Sequence, residues 1–196
     1  MKYLKMLGLA AIAALGLLAF VGAGTASATT LFTDSAKTIK YPKGTTIHGS
    51  LVSGTSARLT SGGTEIATCT QTTLQLSTAS ETGTTINGNV SSWTLGGCNQ
   101  TTHAVALGAG DIEYTSGSSG KVIGTGNQVT MGIFGTSCTY GTGAGTVLGT
   151  LTGGSAPVLK VNTTIPRVAG GFLCPSSGVW EAEYVITTPH ALYVGA

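Results

Sequence analysis

The chain has 196 residues, 41% of them hydrophobic and only 8% charged, with 31 glycines and a formal net charge of +2. That length holds one domain or two small ones. A charge content far below the usual ~25% argues against a cytosolic enzyme, a coiled coil or a nucleic-acid binder.

The first 28 residues predict an export signal. Lys2 and Lys5 form a positive start, an apolar run extends from Met6 to Val21, and Ala26-Ser27-Ala28 gives a small-x-small cleavage site. The competing reading is a retained membrane anchor, because the run slightly exceeds the usual ~7–15 apolar residues of a signal. The Gly/Ala/Ser texture after the run favours cleavage behind Ala28. No later stretch approaches the ~20 apolar residues of a membrane span, so no transmembrane segment is expected once the signal is removed. Cleavage also removes Lys2 and Lys5, leaving seven bases and seven acids over 29–196. With no basic patch left to neutralise phosphates, nucleic acid is not an expected partner. Near-zero net charge favours self-association over mutual repulsion.

Residues 29–44 read as an N-terminal arm ending at Tyr41-Pro42-Lys43-Gly44, and 45–196 as one domain without a dividing linker. All four cysteines, Cys69, Cys98, Cys138 and Cys174, fall in the exported part. An even count in an exported chain predicts two disulfides, and four cysteines permit three pairings. The smaller loops favour Cys69–Cys98 with Cys138–Cys174. The long spacings are unlike the paired C-x₂-C of a zinc site, and no metal or cofactor is expected.

The domain reads as strands and turns. Threonine supplies 33 of residues 29–196. Being β-branched, it suits a pleated, half-buried surface. Mean hydropathy is +0.32, too high for a disordered Gly/Ser/Thr tract. The arm is followed by a strand over 45–53, with Ile47 and Leu51 on one face, and by strands over 57–60 and 64–70. Asn87-Gly88 between 84–86 and 89–95 is a hairpin signal. Further strands are predicted over 104–107, 111–115, 128–134, 146–151, 158–161 and 191–194. The clearest is 179–187, where Trp180, Ala182, Tyr184 and Ile186 share one face while Glu181 and Glu183 take the other. Ser61-Gly62-Gly63, Gly117-Ser118-Ser119-Gly120 and Pro175-Ser176-Ser177-Gly178 mark turns. Many short strands with regular turns predict an all-β fold, an antiparallel β-sandwich or a barrel-like closure of it.

Chemistry-bearing motifs are sparse. No Gly-x-Ser-x-Gly elbow occurs, and His48, His103 and His190 stand apart in the sequence. Asp111/Glu113 and Glu181/Glu183 each place two acids on one strand face. A retaining glycosidase needs two carboxyls ~5–5.5 Å apart, and Glu113 facing Glu181, with Trp93 or Trp180 as a sugar platform, would supply them. The simpler reading is solvated outer-face charge that discourages edge pairing. No catalytic residue is assigned.

The Ala26-Ser27-Ala28 end, Ile66-Ala67-Thr68-Cys69, Cys138-Thr139-Tyr140, Cys174-Pro175 and Trp180-Glu181-Ala182-Glu183-Tyr184 together resemble uncharacterised exported all-β proteins of soil actinobacteria. A fainter similarity is to exported alkane-oxidation activator proteins. The first resemblance implies a disulfide-bonded β-sandwich and carries no functional residues. The expectation is an exported, non-catalytic structural or adhesive protein, secreted or cell-surface associated, that meets itself or the cell envelope through sheet edges. The alternative is a secreted binding module for a polysaccharide or a small apolar ligand, which requires a concave apolar patch. An extracellular glycosidase comes third.

Overall fold

The computed structural model describes residues 28–196, so the anticipated signal segment lies outside the described residues except for Ala28. The described chain is all-β. In order, its strands are β1 (Thr30–Phe32), β2 (Thr46–Leu51), β3 (Ala57–Ser61), β4 (Thr64–Thr82), β5 (Thr85–Cys98), β6 (Thr102–Ala106) and β7 (Ala109–Ser116). They continue with β8 (Ser119–Thr125), β9 (Gln128–Ile133), β10 (Thr136–Gly141), β11 (Thr146–Thr152), β12 (Val158–Ala169), β13 (Ser177–Thr188) and β14 (Tyr193–Gly195).

Eight of these close into an antiparallel barrel in the order β4, β5, β7, β8, β11, β12, β13, β2, with β2 pairing back onto β4. One position in the wall is shared. β2 bridges β13 and β4 over one half of their length, from Leu51↔Tyr184 to Thr46↔Ser77. β3 bridges the same two strands over the other half, through Leu59↔Trp180 and Ala57↔Cys69. Closure satisfies the edges that an open sandwich would expose.

The alternation read from the sequence sets the two faces of this wall. Along β13, Trp180, Ala182, Tyr184 and Ile186 are buried, while the alternate residues are partly exposed. Along β12, Leu159, Val161, Thr163 and Ile165 are buried, whereas Lys160, Asn162 and Thr164 are exposed. Among the described residues the outer face carries three ion pairs between residues directly opposite in register. These are Arg58–Glu181 at 2.8 Å, Lys121–Glu113 at 3.1 Å and Lys160–Glu183 at 3.4 Å. Such exposed pairs contribute at most about 1 kcal/mol each; they fix register more than they stabilise.

Two additions cap the barrel. At one end β1 and β14 pair as Thr30↔Gly195 through Phe32↔Tyr193, burying Leu31, Phe32, Leu192 and Val194. The 29–44 arm therefore contributes a strand. Its turn is held by Asp34, whose carboxylate accepts from the backbone N–H groups of Thr38 and Ile39. Lys37 reaches the Gly117 carbonyl and lies 5.1 Å above the Tyr114 ring, tying the arm to the barrel. At the other end β6, β9 and β10 form a side sheet hung on the last residues of β12. Both disulfides lie toward this second end, in the favoured pairing Cys69–Cys98 and Cys138–Cys174. They belong to unlike surroundings, one a cross-strand pair of β4 and β5, the other a tie from β10 to the loop before β13.

The Asn87-Gly88 hairpin does not form. Both residues lie inside β5, opposite Ser80 and Thr78, and the chain reverses at 83–84 instead. Gly88 is needed there for close approach: a Cβ would stand 2.8 Å from the Gly110 carbonyl oxygen and 2.9 Å from a Leu76 methyl. β4 is likewise a single strand through Thr82 rather than one ending near Thr70.

Candidate functional site

The inner faces of the barrel strands surround an apolar cavity of about 130 Å³. Its walls include Leu76 of β4, Trp93 of β5, Ile112 of β7, Leu151 of β11, Val161 of β12 and Trp180 of β13. An eight-stranded barrel is just wide enough for its own side chains to fill it or for one small ligand to be held. Glycines shape this interior. Gly110 allows a Leu76 methyl to lie where a Cβ would be 2.9 Å away, and Gly124 does the same for Leu148. Leu74, Val90, Trp93 and Leu148 are the apolar lining residues left half-buried, and they mark where the cavity comes nearest to solvent. Here β5 has parted from β7, whose ladder with it ends at Asn89↔Ala109. Val129 and Tyr140 of the β9–β10 hairpin wall this same end of the barrel, with Tyr140 donating its hydroxyl hydrogen to the Pro175 carbonyl.

The chain's two tryptophans both line the cavity and meet edge to face, with ring centroids 5.6 Å apart and planes at 87°. Such a pair adds about 0.5–1.5 kcal/mol beyond its buried area. Next to them Tyr184 is buried, and its phenolic oxygen accepts a 2.9 Å hydrogen bond from the Thr72 hydroxyl. Burial pushes the Tyr184 phenol above its ordinary range, opposed by hydrogen bonds with Thr72, Trp93 and Trp180. The interior thus has mostly apolar walls, with a knot of polar groups at the tryptophans and with Asn127, Thr142 and Thr163 elsewhere in the lining.

The raised phenol has a consequence at high pH. A folded phenol harder to ionise than the unfolded one stabilises fully below the unfolded value of ~10. That stability is lost as pH rises from there toward the folded value, because the unfolded chain releases its proton first. Tyr41 and Tyr140 are raised by burial in the same sense. Urea midpoints measured at increasing pH should be flat up to about pH 10 and then fall. Tyr184→Phe should make that fall shallower without abolishing it. At neutral pH it should cost about 1–3 kcal/mol, because the buried Thr72 hydroxyl loses its partner.

The residues singled out in the sequence are distributed differently from the glycosidase arrangement. Glu113 sits on the outer face of β7 paired with Lys121, and Glu181 on the outer face of β13 paired with Arg58. β4 and β5 stand between the β7 and β3/β13 walls, so the two carboxylates share no cleft, and both tryptophans turn away from them into the barrel. His48 lies on β2, His103 on the exposed face of β6, and His190 in the turn before β14. Among the described residues no group of three or more His, Cys, Asp or Glu side chains is placed to hold a metal ion. A second hollow, of about 330 Å³, lies between the N-terminal arm and β4, but Lys43 and Glu81 line it together with Leu31 and Tyr41. Comparison with protein-family models, curated proteins and solved structures gives no significant match. What fold and site define is a closed antiparallel barrel with an apolar interior and a polar outer wall, the reverse of the polarity of a transmembrane barrel.

Proposed function

We propose that this is an exported binding module that holds one small apolar molecule inside its barrel. The observation that carries the reading is the apolar cavity walled by both tryptophans. Its volume sets the ligand class. Drug-sized ligands occupy roughly 300–1,000 Å³, whereas an engineered apolar cavity of about 150 Å³ takes up benzene. A single ring or a short alkyl chain matches about 130 Å³. A polysaccharide fits less well, because neither tryptophan stands on the outer wall as a sugar platform. The two disulfides and the Lys2-to-Ala28 signal pattern support export into an oxidising compartment.

Toluene and n-hexane are the probes. Because both tryptophans line the cavity, occupancy should shift or quench their emission and raise Tm, as any ligand of the folded state does. Val161→Phe, which fills the cavity from β12, should remove both responses while the protein stays folded. Unchanged emission and Tm at saturating probe would overturn the reading.

A second reading, self-association through a sheet edge, draws on β6. Among the described residues β9 is its only strand partner, and its outer face exposes His103, Val105 and, just beyond it, Leu107. A native mass above that of the monomer, lowered by Val105→Lys, would favour it.

A further inference from the structure

The end of the molecule opposite the β1–β14 cap carries a second apolar feature, on its outside. Phe134 at the tip of the β9–β10 hairpin is 86% exposed, and Phe172 in the loop between β12 and β13 is 94% exposed. Leu173, next in the chain to Phe172, is exposed as well. The two tips are neighbours. The Cys138–Cys174 disulfide ties the loop to β10, and a Cβ on Gly170 would touch the Ser137 carbonyl oxygen and the Cys138 Cα. Arg167 braces the loop from within by donating to the Gly171 and Cys174 carbonyls.

Phe134 also sits where its residue type is out of place. Its φ is +48°, and with Gly135 at +75° it makes the two-residue turn between Ile133 and Thr136. Such turns favour Asn, Asp or Gly, and a bulky residue with positive φ is an outlier. Neither folding nor packing accounts for a phenyl ring displayed to water at a backbone position that disfavours it. Outliers of this kind gather at functional sites.

We propose that this pole is a docking tip that inserts Phe134, Phe172 and Leu173 into a lipid surface. Three observations select lipid over a protein partner. The apolar groups sit on protruding loop tips, which a deformable lipid interface receives and a flat protein face does not. Apart from the internally engaged Arg167, no Asp, Glu, Lys or Arg occurs from 122 to 159 or from 161 to 180, so the two tip segments themselves carry no charge that demands complementarity or resists dehydration. The same hairpin that lifts Phe134 outward sends Val129 and Tyr140 into the cavity wall, placing the tip beside the cavity end through which lipid-dissolved molecules would arrive. This last point rests on the ligand reading above; the first two do not.

The test is co-sedimentation of the full expressed chain, its processed mass measured, with neutral phosphatidylcholine vesicles at low and high salt. Binding should be insensitive to salt, because burial of rings rather than charge drives it. Phe134→Asn and Phe172→Ser should each weaken it about tenfold or more, the scale of returning a phenyl ring to water. Phe134→Asn suits the turn better, so its Tm should hold or rise; lost binding in a protein of undiminished stability separates docking from folding. Vesicle binding that survives the double variant, or no sedimentation of the parent chain, would overturn the proposal. So would a dimer in vesicle-free buffer that the same substitutions dissolve, since the tip would then meet a second copy. Toluene responses are read without vesicles, so failure of the docking tip and failure of the cavity reading are distinguishable.

Discussion

Trp180→Ala should be the most damaging single substitution in this barrel, at about 3–5 kcal/mol, the range for truncating a large buried aromatic. Trp180 is only 5% exposed and stands inside the half of the wall completed by β3, against Leu59 across the ladder. Removing the indole enlarges a cavity that is already present, and the closed ladder on both sides of β13 leaves the strand little freedom to collapse into the gap. It also breaks the edge-to-face contact with Trp93. Trp93→Ala should cost distinctly less, because Trp93 is only half-buried. The double variant should recover about 0.5–1.5 kcal/mol relative to the sum, the worth of the aromatic pair itself. Urea unfolding of the four proteins, followed by far-ultraviolet circular dichroism because the tryptophan signal is altered, measures each quantity. Equal losses for the two single variants would mean that the site collapses around either gap and that the cavity is not held open by the wall.

Strands with a full hydrophobic alternation were legible in the sequence, and strands whose inner face is glycine were not. In β13 the inward residues are Trp180, Ala182, Tyr184 and Ile186, and the pattern alone oriented the strand. In β8 the inward residues are Gly120, Val122 and Gly124, so a wall strand looks like a loop. Its neighbours supply the missing volume: Ile112 lies over Gly120 and Leu148 over Gly124. The second contact joins residues 24 apart in the sequence. Asn87-Gly88 misled for the same reason, since a glycine required by close strand approach looks identical to one required by a turn. The cavity was hidden more completely. It is a volume that side chains from many strands leave unfilled, and only closure of β2 onto β4 encloses it. Trp93 and Trp180 could each be assigned to a strand, but their meeting depends on that closure. The docking tip was masked differently: Phe134 and Phe172 look like ordinary core aromatics until the backbone places them outside.

Removing the two disulfides should give unequal losses, although chain entropy alone predicts nearly equal ones. Their separations, 29 residues for Cys69–Cys98 and 36 for Cys138–Cys174, correspond to about 3–4 kcal/mol each in the loop-closure model. That model assumes a denatured chain without structure. Cys69 and Cys98 are already register partners on β4 and β5, the longest hairpin among the described residues. Whatever part of that hairpin persists on unfolding holds the two cysteines near each other, so the bond removes less freedom. Cys138 and Cys174 have no ladder between them. Their bond is the covalent tie holding the Phe172 loop to β10, assisted by the Arg167 contacts and the Tyr140–Pro175 hydrogen bond. We therefore expect Cys138→Ala/Cys174→Ala to lose the full ~3–4 kcal/mol and Cys69→Ala/Cys98→Ala about half of it. Urea midpoints rank the two. Amide hydrogen exchange should show the largest loss over residues 167–176 and the start of β10, with a smaller loss over the barrel strands. Faster exchange spread evenly over β4, β5 and β13 would mean instead that the side sheet and the barrel unfold as one unit. The tip would then be no more mobile than the wall that carries the tryptophans.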